Sequence, residues 1–151
     1  FFQSLYPGYQ LQAFYQTDES AGRKKLHLVL TATEDPICPK CLCRSPKVHD
    51  TVIRKIREAP MPGATLVELH VPVRRVRWPH CHSRAVEKIP WLEPRARISK
   101  RLASTIQSQL RELVTLKSVC TEFQINWRLA KKLDKQQLQN LIDRTGVPRA
   151  C

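Results

Sequence analysis

Residues 116–133 read LKSVCTEFQINWRLAKKL. Leu116 to Phe123 has helical spacing, with Val119, Cys120 and Phe123 on one side. The pattern breaks at Gln124-Ile125-Asn126, and a further helix fits Trp127 to about Asp143. Asn126 supplies an N-cap, and Gly146-Val147-Pro148 a stop. Two short helices with a tight break between them can form a helix-turn-helix. That motif needs a small residue where the helices cross and apolar positions that pack back. Cys120 takes the small position, and Gln124 stands at the turn where glycine is often found. Ile125, Ala130 and Leu133 point inward. The outward side then shows Asn126, Trp127, Arg128, Lys131, Lys132 and Lys135. Asn reads an adenine edge, Arg and Lys read guanine or grip phosphate, and Trp packs on sugar or a thymine methyl. The bland alternative is a three-helix bundle whose basic face is merely solvated.

Moving towards the N-terminus, Ile98, Leu102, Ile106, Leu110 and Leu113 step by four, four, four and three, placing them on one helical face. Ser99 is a candidate cap, with Pro94 as an earlier start. Before Pro94 the period is that of strands. Thr65–Trp78 (TLVELHVPVRRVRW) alternates best, although Pro72 predicts an edge position or a bulge. Arg23–Thr33 reads as a half-buried strand and Thr51–Glu58 as a weaker one. The turn APMPG links 51–58 to 65–78 as a hairpin. Residues 1–22, aromatic and then polar, are expected to be loop. The fold class that follows is α+β. A small antiparallel zinc-ribbon-like β domain, residues 1–92, precedes an all-α helix-turn-helix domain, residues 93–151.

Three of the six cysteines crowd into CPKCLC at 38–43, a layout suited to a metal rather than to a disulfide framework. Zinc takes about four thiolate or imidazole ligands, commonly from two tight turns that each point two side chains inward. Cys38-Pro39-Lys40-Cys41 is one such turn. Trp78-Pro79-His80-Cys81 has the same shape, with Trp in its first position. Cys38, Cys41 and Cys81 are therefore candidate Zn2+ ligands, with the fourth open among Cys43, His80 and His82. The alternative is a site that has lost its metal, with Trp78 packed in its place. Cys120 is a small core residue and Cys151 a free terminal thiol. His27, His49 and His70 have no spacing to one another and are expected to be structural or exposed.

The formal net charge is +13, and it is unevenly placed. Residues 38–90 hold eleven Lys and Arg against four Asp and Glu, and residues 91–151 twelve against five, while residues 1–37 are near neutral. Such a field attracts polyanions, which points to double-stranded DNA. No membrane span is expected, since no apolar run approaches the ~20 residues that one needs. FFQSLYPGYQ lacks the basic start and cleavage site of a signal peptide. The reducing cytoplasm is the expected compartment, and a chain that opens on Phe is expected to be a fragment or processed product. No catalysis is expected. Glu112, Glu122, Asp134 and Asp143 lie singly on basic helices, and no phosphate loop or nucleophilic triad can be drawn from the spacing.

The order of features resembles the N-terminal half of the ISL-three family of bacterial insertion-sequence transposases. The resemblance rests on CPKC at 38–41, Arg74-Arg75 ahead of V-R-x-P-x-C up to Cys81, IPWLEPRARISKRL at 89–102, and LKSVCTEFQINW at 116–127. It covers roughly residues 25–140. It implies a zinc-binding domain on Cys38, Cys41 and Cys81, followed by helices that bind the element's terminal inverted repeats. A carboxylate-triad (DDE-type) catalytic domain follows in the family, and Trp78 stands where the family has a cysteine. It also implies a bacterial, nucleoid-associated protein, able to pair with itself or with full-length transposase. Arg74, Arg75 and Arg77 are further candidate phosphate contacts; a solvated strand edge is their plainer reading. Two other readings stand beside this one: a protein-interaction or inhibitory module derived from a transposase, and a stand-alone transcriptional regulator, which shares the DNA chemistry and differs only in its target.

Overall fold

The computed structural model describes residues 2–112 and 115–145. Leu113, the Gly146–Pro148 stop and Cys151 lie outside the described residues. The chain divides into two compact units, residues 1–100 and 101–151. The α+β class and the order, sheet first and helices second, are as read from the sequence.

In the first unit a short helix α1 (Phe2–Leu5) leads into strands β1 (Tyr9–Asp18), β2 (Lys24–Ala32), β3 (Val48–Glu58), β4 (Leu66–Arg77) and β5 (Arg84–Val86). The sheet runs β1-β2-β4-β3, with β5 also paired to β4. β3 and β4 form the expected hairpin across 59–65, closed by a bridge between Met61 and Ala64. Gly63 turns that corner at φ +82°, a conformation that costs glycine nothing sterically.

Three features depart from the expected ribbon. Residues 9–18 are strand rather than loop. β1 lies at an edge and nearly all its side chains face solvent, so it lacks the apolar alternation by which a half-buried strand is recognised. The sheet is mixed, because β2 and β4 pair in parallel, Lys25 opposite Leu66 through Val29 opposite His70. Pro72 sits in a central strand without a bulge at that point, paired to Ile53 of β3. On the other side of β4, the ladder with β2 stops at His70 and that with β5 starts at Arg75. Pro72 therefore occupies a local edge where its missing N–H breaks no ladder.

Tyr6, Leu28, Leu30, Ile56, Val67, Leu69 and Val71 form the centre of the sheet's buried face. Each buried aliphatic side chain there contributes about 1.5–3 kcal/mol relative to exposure. Trp91 closes it edge-on against Tyr6 and Tyr9, at 5.0 and 5.4 Å. Residues 97–99 are tied to the same unit. Arg57 N–H donates to the Arg97 carbonyl, Ser99 N–H donates to the Arg57 carbonyl, and Ile98 bridges Arg57. Ile98 is thus held by a strand rather than by the helix, and α2 runs Lys100–Arg111 with Leu102, Ile106 and Leu110 buried.

The second unit continues with α3 (Leu116–Phe123) and α4 (Trp127–Thr145). No helix among the described residues is long and apolar enough to cross a membrane.

Candidate metal centre and nucleic-acid interface

Two turns of the first unit share one backbone. In the first, Cys38 N–H donates to the Cys43 carbonyl at 2.8 Å and Leu42 N–H to the Cys38 carbonyl at 3.1 Å. In the second, Trp78 N–H donates to the Ser83 carbonyl at 2.9 Å and His82 N–H to the Trp78 carbonyl at 2.8 Å. Leu42 and His82, the fifth residues of the two turns, have φ +61° and +53°. The strand pairing around each turn matches too, Ile37 with Arg44 and Arg77 with Arg84.

The turns bring Cys38, Cys41 and Cys81 together, with their sulfurs within 4.8 Å of one another. Cys38 Sγ and Cys81 Sγ are 3.5 Å apart, close to the ~3.8 Å edge of a tetrahedron with 2.3 Å metal–sulfur bonds. Backbone N–H groups of Lys40 and Cys41 donate to Cys38 Sγ at 3.4 and 3.5 Å, an arrangement that stabilises a thiolate. Burial raises the Cys38 pKa, whereas hydrogen bonding from Ser83 lowers Cys81 to about 7. The donor set therefore fits a soft divalent metal on three sides. Among the described residues none of the fourth-ligand candidates joins the group. Cys43 Sγ turns to the Cys41 carbonyl at 3.8 Å, and His80 and His82 are exposed. Trp78, fully buried against Cys38 and Val76, fills the position equivalent to Cys38. No hydrogen-bond partner for its indole N–H is present among the described residues.

In the helical unit Thr115 caps α3, its hydroxyl accepting from Ser118 N–H at 3.1 Å. Gln124 makes the turn at φ +50°, ψ +51° and donates its N–H to the Cys120 carbonyl, so a left-handed residue supplies what glycine often does. Asn126 caps α4, its Oδ1 accepting from Leu129 N–H at 2.7 Å. Val119, Phe123, Ala130 and Leu133 are buried, while Cys120 and Ile125 are half-buried. Gln107 reaches from α2 to the Leu133 carbonyl at 3.2 Å. Asn126, Trp127, Arg128, Lys131, Lys132 and Lys135 are all exposed, and Lys131 Nζ lies 5.6 Å from the Trp127 ring centre.

Residues 87–137 match the model for the helix-turn-helix domain of transposase family ISL3. They are an ISL3-family transposase helix-turn-helix domain. The chain is also similar to the transposase for insertion sequence element IS1001 of Bordetella parapertussis, 30% identical over 132 residues. That match covers 87% of this chain and 32% of the relative, so the chain spans about a third of the curated relative's length. No solved structure matches it.

Upstream of the ISL3 match, the three arginines of β4 have different surroundings. Arg74 is not free: its guanidinium donates to both oxygens of the buried Glu87, at 2.6 and 2.9 Å, and to the Glu34 carbonyl at 2.9 Å. Arg75 is exposed, 3.9 Å from Asp50, and Arg77 is exposed. Arg77 also borders a groove whose lining includes Arg44, Lys47, His49 and His82.

Sequence reasoning missed three carboxylates and a histidine pair. Glu58 is buried, accepting from the Tyr6 and Ser99 hydroxyls and from Ala59 N–H. Glu87 pairs with Arg74 and, with burial as the larger cause, holds the Tyr9 phenol well above its usual pKa. His27 and His70 meet at 3.0 Å beside Glu68, and burial lowers the His70 pKa. The signal for that cluster was the register of β2 on β4, which puts His27 opposite Glu68.

Proposed function

We propose that this chain is the DNA-recognition part of an ISL3-type transposase, binding the terminal inverted repeats of its element. Strand cleavage and joining belong to the remainder of the transposase. One observation carries the reading: the start of α4, within the matched residues, carries six exposed side chains suited to a duplex groove, Asn126 at the N-cap and five on the first turns of the helix. Lys131, Lys132 and Lys135 grip phosphates, while Asn126, Trp127 and Arg128 face the base edges. Arg75 and Arg77 add phosphate contacts from the sheet unit. Arg74 serves the fold instead. Zn2+ on Cys38, Cys41 and Cys81 fixes the two turns, with a non-protein fourth ligand.

Titration of fluorescent duplexes over a range of salt tests this. Lys131→Ala with Lys132→Ala is expected to weaken binding to all sequences and to reduce the slope of log K against log salt by about two. Asn126→Ser keeps a capping oxygen, so its expected effect is reduced discrimination between sites without helix loss. Binding by the double lysine variant that equals the parent's at moderate salt would remove α4 from the interface.

A second reading has its own observation. Leu138, Leu141 and Ile142 form an exposed stripe on the C-terminal half of α4, which suits a second copy or full-length transposase. Light scattering on the parent and on Leu138→Ser with Leu141→Ser, with and without duplex, separates the two. An oligomer that is lost in the variant and indifferent to DNA favours the interaction module.

A further inference from the structure

We propose that His27, Glu68 and His70 form a second metal site, which takes a divalent first-row cation such as Zn2+ and clips β2 to β4. The site lies on the sheet face opposite the apolar core, since Leu28 and Leu30 of β2 and Val67, Leu69 and Val71 of β4 alternate with these residues and belong to the core cluster, with Leu26 packed against it. Polar side chains on such a face are ordinarily solvated. Here the side chains of all three are only 11–12% exposed, under Tyr15, whose ring stacks on His27 at 4.5 Å and 8°.

The geometry is that of a ligand set. His27 Nδ1, His70 Nε2 and Glu68 Oε1 converge with edges of 3.0, 3.4 and 3.5 Å. A tetrahedral ion with bonds of about 2.0–2.1 Å needs ligand–ligand edges of about 3.3 Å. One N–H shared between the rings would satisfy the two nitrogens and leave Glu68 Oε1 without a donor of its own from the pair. A cation serves all three atoms at once. The outer contacts agree: Thr17 Oγ1 lies 2.8 Å from His27 Nε2 and fixes that ring, as hydrogen-bonded partners of metal-bound histidines do. Lys25 Nζ sits 3.8 Å from Glu68 Oε2, leaving Oε1 to the metal. Two imidazoles and one carboxylate suit a first-row ion rather than a hard cation. The placement has a mechanical meaning, because the β2–β4 ladder is what joins hairpin β1–β2 to hairpin β3–β4.

The site is separable from the thiols by its ligand chemistry. The full chain, stripped with chelator and reloaded with Co2+, is expected to bind metal in a Cys38→Ser, Cys41→Ser, Cys81→Ser variant, without a thiolate-to-cobalt charge-transfer band. Adding His70→Gln to that variant should weaken binding by about 100-fold or more, beyond what loss of an outer partner costs. If the thiol variant does not fold, the test moves to the otherwise unaltered chain. There His70→Gln should lose one equivalent of Co2+ while keeping the charge-transfer band and the far-ultraviolet circular dichroism of the parent. Equal Co2+ content and affinity in the parent and His70→Gln would overturn the proposal, as would a parent whose bound metal disappears entirely with the thiols in a folded variant.

Discussion

The turns at 37–44 and 77–84 have the same hydrogen bonds, the same left-handed fifth residue and the same flanking pairing, yet only the first offers a thiol at its opening position. Where Cys38 faces the other sulfurs, Trp78 packs a fully buried indole. Where Cys43 stands in one turn, Ser83 stands in the other and hydrogen-bonds Cys81 at 3.0 Å. The difference teaches that the turn backbone does not depend on a complete ligand set. Proline at the second position, an inward residue at the first and backbone hydrogen bonds hold it, and the first position is filled by whatever stabilises it, metal ligand or apolar packing.

The contrast is sharpest at Trp78. Trp78→Ala is expected to lower stability by about 3–5 kcal/mol, the usual cost of emptying a large buried aromatic site, measured by urea unfolding of metal-free protein. A loss under about 1 kcal/mol would mean that the indole is not what fills the second turn. Trp78→Cys makes the two turns alike. Without metal it should lose nearly as much, and with zinc at a hundredfold excess over its Kd it should recover about 2.7 kcal/mol, with tighter metal binding than the parent. Absence of any zinc-dependent recovery would break the equivalence of the two positions. The smallest effect is at the left-handed residues. A non-glycine residue there costs about 1–2 kcal/mol, offset by glycine's greater chain entropy. Leu42→Gly and His82→Gly should therefore change thermal stability in the same direction, by up to about 1 kcal/mol each. Opposite signs would show that the two backbones only look alike.

What could be read from the sequence divides along physical lines. The helical unit was legible because its signals are local. The apolar spacing through Leu102, Ile106 and Leu110, the cap at Asn126 and the break at Gln124 all lie within a turn or two of the residues they organise. The three clustered cysteines were legible because each turn carries its own spacing. Strand β1 was not, since an exposed edge strand leaves no burial pattern. The cluster of His27, Glu68 and His70 was hidden for a different reason: it depends on the register of a parallel pair some forty residues apart in the chain. Arg74 looked like its neighbours Arg75 and Arg77 because nothing near it in sequence reveals that Glu87 is buried beneath it.

The Glu58 carboxylate also governs when the sheet unit can be finished. It takes hydrogen bonds from a hydroxyl 52 residues upstream, on Tyr6, and from another 41 residues downstream, on Ser99. During synthesis the hairpin β3–β4 leaves the ribosome well before Ser99 does, and until then this carboxylate lacks one of the donors that compensate its loss of water. Contacts this distant in sequence carry a loop-closure entropy cost that the local contacts of a hairpin do not. Full satisfaction of this carboxylate therefore waits for the segment that leads directly into α2.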